Sequence, residues 1–169
     1  VAAGQDARVA GEAGHGALSL GPLHAGAVFI LALSPAPLAL REPLRCAVVV
    51  LLDPAPSESK FGKVLANQGA GDWTILSVDA SEAAALCTRL TERGGARIVP
   101  ISALQALGRG VSALGPHLYD AVDGLARRVV DLHGASPAEA LRSAAAYGAA
   151  LALGLAPRAI AAAMNAHED

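Results

Sequence analysis

The sequence predicts an α/β protein: a mainly parallel sheet flanked by helices, then a small antiparallel extension and a C-terminal helical pair. Three observations predict it. Short apolar runs, mostly rich in Val and Ile, recur at residues 27–33, 47–52, 74–78 and 97–101, with 7–10 as a fifth, and such runs read as strands. Helical patterns lie between them, and strand–helix alternation favours parallel pairing with helices covering both faces. Past residue 101 the rhythm changes. Extended pieces at 110–114, 117–122 and 127–132 are separated by Gly115-Pro116 and Asp123-Gly124, turn-forming pairs that fit an antiparallel meander.

The helices follow in order. Residues 57–67 place Phe61, Val64 and Leu65 on one face, with Ser57 as the cap. Residues 81–93 begin behind Asp79 and Ser81, either of which can cap the free N–H groups, and Gly94-Gly95 ends the helix. Ser136-Pro137-Ala138-Glu139 reads as a capping box with proline at the first helical position. That helix runs to about residue 153, Gly154 to Pro157 break it, and 158–164 form a short last helix. No internal repeat or linker divides residues 1–169, so one domain is expected.

Composition narrows the function. Hydrophobic residues make up 53% and charged residues 17%, which excludes a disordered chain. With two Phe, two Tyr and one Trp, the core is expected to rest on Ala, Val, Leu and Ile. The net charge is -2 and no basic run exceeds Arg127-Arg128, which argues against a nucleic-acid or anionic-membrane surface. Cys46 and Cys87 fall in apolar segments and form no CxxC pair, so they read as small buried hydrophobes in a reducing compartment. The apolar stretches 25–33 and 144–156 are too short for a bilayer helix, and no cleavable signal pattern opens the chain. A cytoplasmic location is expected.

Catalytic motifs are mostly missing. Gly62-Lys63 is followed by Val64 and preceded at the Walker spacing by Ser57, so it is no phosphate loop. The Gly pairs at 14/16 and 108/110 are not completed, because Ser19 and Ala113 stand at the third position. There is no G-x-S-x-G elbow. None of His15, His24, His117, His133 and His167 has a carboxylate or a second His at i+3 or i+4 on a helix that the sequence predicts, which argues against metal ligation and for turn and surface histidines. One place stands out. "VVVLLDPAPSE", residues 48–58, ends a strand where ligands bind in open α/β sheets. Asp53, Glu58, Lys60 and Lys63 crowd there as candidate acid/base or anion-binding groups. The competing reading is structural: Ser57 caps a helix, Glu58 favours its positive end and the lysines face water. The structural reading is favoured.

Taken in order, "GQDARVAGEAGHGALSL", "VFILALSPAPLAL", "CAVVVLLDPAP", "GDWTILSVDASEAAALCTRLTERGGARIVPIS", "HLYDAVDGLARRVVDL" and "AAAYGAALALGLAPRAIAAAM" resemble the central domain of Mur ligases, in the branch that adds D-glutamate. The resemblance covers residues 4–166 and is carried best by 71–101 and 144–164. It implies the α/β fold already read from the residues. It also implies descent from an ATP-dependent amide ligase of peptidoglycan synthesis, whose central domain binds ATP and magnesium.

Position by position, the chemistry that the resemblance implies is missing. The family's Gly-rich phosphate loop belongs ahead of Gly4, outside this sequence. The motif Leu-Glu-Leu-Ser-Ser reads Leu31-Ala32-Leu33-Ser34-Pro35, with Ala32 in place of the magnesium-binding Glu. The motif Asn-x-x-Pro-Asp-His-Leu-Asp keeps Pro54 but has Leu51, Ala55 and Pro56 for Asn, Asp and His. The carbamylated lysine falls nearest Lys60 or Phe61, and His-Asn…Asn falls on Ala138-Glu139…Arg142. The expectation is a non-catalytic Mur-ligase-like domain with a binding or scaffold role, no cofactor, no metal site, and association with itself or a protein partner. The alternative is a component of an active ligase, using ATP and magnesium, whose phosphate loop lies in another segment or chain.

Overall fold

The computed structural model describes residues 6–11, 24, 26–32, 44–53 and 58–166, with side chains in the first helix described from residue 62 onward. The strands are β1 (Ala7–Gly11), β2 (Val28–Ala32), β3 (Val48–Leu51), β4 (Trp73–Ser77), β5 (Arg97–Ser102), β6 (Val111–Leu114), β7 (His117–Asp120) and β8 (Arg127–Asp131). The helices are α1 (Glu58–Ala66), α2 (Ser81–Arg93), α3 (Pro137–Ala152) and α4 (Pro157–Asn165). Strands β3 to β8 form one six-stranded sheet in sequence order, parallel through β6 and antiparallel from β6 to β8.

Among the described residues the strands fall into two sheets. β1 and β2 pair in parallel with each other, Ala7 opposite Val28, and stand as a separate two-stranded sheet. Among the described strands, β3 therefore lies at the edge of its sheet.

Alternation along the strands sorts the core into two layers, because successive side chains point to opposite faces. Leu76 faces α1 and α2, packing with Leu51, Leu65, Leu86 and Leu90. Its neighbour Ile75 faces the other way, into a core with Val99, Ile101, Val111, Leu118, Val130, Ala144 and Ile160 under α3 and α4. Small residues let α3 lie close. A Cβ on Gly148 would come within 3.2 Å of Ile75 Cγ2. The expectation of a purely aliphatic core fails at one place: Tyr147, on α3, is fully buried. It is tolerated because its hydroxyl finds an acceptor inside.

The caps differ in how they match the sequence. Ser136 and Glu139 form the expected capping box: the Glu139 carboxylate accepts from the Ser136 backbone N–H at 2.8 Å, and Ser136 Oγ accepts from the Glu139 N–H. Gly94 ends α2 at φ 71°, as expected past a helix C-terminus. At the start of α2, however, neither Asp79 nor Ser81 caps. The N-cap is Ala80, and Ser81 Oγ donates instead to the Glu82 carboxylate. Ser57 lies outside the described residues.

The connection from β5 to β6 has no helix, although both strands are parallel. The register explains it. Ile101 pairs with Val111, so the chain need not travel back along the sheet before it re-enters. Pro100 fits this stagger. Ile101 offers its carbonyl to Val78 on the β4 side, so Pro100 faces β6 just before β6 pairing begins, where its missing N–H breaks no ladder bond.

Candidate functional site

The parallel strands bring the chain segments after β3, β4 and β5 to one edge of the sheet, where ligands bind in open α/β folds. Asp53 follows β3, Asp79 follows β4 and Ser102 closes β5. Of the four sequence candidates, Asp53 and Lys63 are exposed. Glu58 and Lys60 lie on the first turns of α1, and their side chains fall outside the described atoms. The structure thus places Asp53 at the expected sheet edge and Lys63 on the solvent side of α1. No described hydrogen bond or ion pair joins the two.

The ordered polar group at this edge is one that sequence reasoning missed. Ser102 Oγ donates to Asp79 Oδ1, and Asp79 Oδ2 accepts from the Ala103 N–H at 3.0 Å. Ser102 Oγ itself accepts from the N–H groups of Leu104 (3.0 Å) and Gln105 (2.9 Å). A hydroxyl has one proton and two lone pairs. All three are used, and Ser102 is fully buried, so it is no available nucleophile. Two positions into β6, Ser112 Oγ accepts from the Leu107 N–H at 2.9 Å. Together these bonds tie down the 103–110 connection. The signal in the sequence was Asp79 and Ser102, small polar residues closing two adjacent strands.

Two further polar groups are also paired. Tyr147 Oη donates to Asp120 Oδ2 at 3.0 Å, and Asp120 Oδ1 accepts from the Val122 N–H. Burial, then the Asp120 charge and this hydrogen bond, push the Tyr147 phenol far up. On β7 and β8, His117 Nδ1 lies 2.8 Å from Asp131 Oδ1, and Arg128 binds both oxygens of the same carboxylate. Arg128 first, then His117, holds the Asp131 carboxyl below the usual carboxylate range. His117 found its carboxylate across the strands rather than along a helix, a pairing that helical spacing does not reveal. Cys46 and Cys87 are half-buried rather than buried, and desolvation raises both thiols.

Magnesium is the ion that the resemblance implies for the central domain. The ion takes oxygen ligands in an octahedral array. Ala32, the position that the resemblance gives to the magnesium-binding Glu, closes β2 in the separate β1–β2 pair and carries only a methyl group. Ala55 and Pro56 lie outside the described residues, and neither carries a side-chain oxygen. Among the described residues, no three His, Cys, Asp or Glu side chains gather as a metal site. At the opposite edge, a cavity of about 10 Å³ lined by Gln68, Thr74 and Arg93 has room for one water. No described helix is long and apolar enough to cross a membrane.

These features define an α/β sheet domain whose carboxyl edge is fastened by polar side chains. No protein-family profile matches the chain. It is similar to part of several proteins named UDP-N-acetylmuramoylalanine--D-glutamate ligase. The UDP-N-acetylmuramoylalanine--D-glutamate ligase of Phenylobacterium zucineum (strain HLK1) is 38% identical over 168 residues, covering 90% of this chain and 36% of that protein. The protein of the same name from Caulobacter vibrioides (strain NA1000 / CB15N) is 39% identical over 171 residues, again 90% of this chain and 36% of the relative. That of Rhizobium etli is 31% identical over 170 residues, 94% of this chain and 36% of the relative. The chain thus spans about a third of the length of the curated relatives it matches.

Proposed function

We propose that this chain is a non-catalytic Mur-ligase-like domain, derived from a D-glutamate ligase of peptidoglycan-precursor synthesis and acting in the cytoplasm by binding or as a scaffold. The observation that carries the reading is Ala32 at the end of β2, where the resemblance requires a carboxylate for magnesium. Ala55 and Pro56 extend the same loss to the turn after β3. What the described residues do carry is fold: strands, capping box, tied connection and close-packed α3. Calorimetry with ATP–magnesium and with a UDP-linked sugar tests it. The reading expects no ATP–magnesium binding tighter than about 100 μM, equivalent to about 5.5 kcal/mol. A tighter constant overturns it.

A second reading is favoured by one observation. The pair β1–β2 and the edge strand β3 are all parallel-paired, yet they belong to separate sheets. An active ligase component would have this form if the phosphate loop and its strand came from another segment or chain. Under that reading, ATP–magnesium binding appears when a polypeptide carrying such a loop is added. Under the first reading it stays absent.

A further inference from the structure

We draw no further inference here: the strongest candidate, the open edge of β3 with Val50 and Leu52 exposed beside it, belongs to the second reading above, and nothing in the structure shows what covers it.

Discussion

Tyr147 donates its hydroxyl to Asp120 from the middle of α3, joining a helix to the end of β7 inside the core at 3.0 Å. Asp120 is only 8% exposed and holds the Val122 N–H with its other oxygen. Removing the hydroxyl leaves one buried carboxylate oxygen without its donor. Such an orphaned acceptor costs about 1–3 kcal/mol. Tyr147→Phe is therefore expected to lower stability by that amount, read from urea denaturation. With Asp120→Ala as the second arm of a double-mutant cycle, the two changes should be non-additive, because each removes the same bond.

The acidic side of the stability profile has a defined sign. Asp131, Asp123, Glu139 and Glu82 all have carboxyls held below their ordinary values: by Arg128 and His117, by Arg127, by Ser136, and by a backbone N–H with Ser81. A depressed folded-state pKa gives stability that is present above the unfolded value and is lost as pH falls through the folded one. Stability is thus expected to hold above the normal carboxylate range, about pH 4, and to decline below it. Asp131→Asn should flatten part of that decline. Denaturation midpoints between pH 2 and 6 for both proteins check this. Parallel curves would exclude Asp131 as a contributor.

The capping box gives a local test. Ser136→Ala removes the oxygen that accepts from the Glu139 N–H and a partner of the Glu139 carboxylate. The usual loss for an N-cap serine is about 1 kcal/mol. Denaturation without any ligand should show it. Unchanged stability together with weakened ligand binding would instead make Ser136 part of a binding site.

How much of this was legible depends on distance along the chain. The capping box was readable because its residues lie three apart, and the meander because Gly115-Pro116 and Asp123-Gly124 mark turns locally. Asp79 was misread for the same reason. It stands where a cap should, but Ser102, twenty-three residues on, competes for its carboxylate. His117 with Asp131 and Tyr147 with Asp120 are likewise pairs that only the sheet register and the α3 packing create. The separation of β1–β2 from β3 was hidden because apolar runs announce strands without naming their neighbours. Asp53 is exposed, and Ser57 and the side chains of Glu58 and Lys60, on which the two readings of 48–58 turn, fall outside the described atoms.

Gly110 is the position at which the 103–110 connection has least freedom. Its φ is 127°, and a Cβ there would lie 2.2 Å from the Pro100 carbonyl oxygen. Gly110→Ala combines a backbone conformation hostile to side chains with a clash against main chain. A loss of at least about 2 kcal/mol is expected, since strained backbone alone costs of order 1–3 kcal/mol. Gly108→Ala, in the same connection with no atom within 4 Å of its added methyl and an ordinary φ, is the control and should change stability little. Equal losses in the two variants would mean that the close approach to Pro100 is not what fixes the connection.

The proposed binding role carries an expectation of association, and β3, outermost of the described strands in its sheet, is where it is tested. β3 carries Val48, Val49, Val50 and Leu51 with no charge or proline among them, and nothing pairs with its outer side among the described strands. Val50 is 41% exposed, and Val9 and Ile30 on the β1–β2 pair are about half exposed. Uncharged open edges invite strand pairing, and lysine is the usual protection against it. A closed dimer is the commonest way for one chain to cover such a surface. Light scattering at micromolar concentration is therefore expected to give a mass above the monomer, falling with dilution. Val50→Lys should return the monomer while leaving the denaturation midpoint nearly unchanged, because Val50 lies outside both apolar cores. A monomer mass at every concentration, identical in the lysine variant and with no partner captured from extract, would show that the edge is not sticky and would remove the support for a binding role at β3.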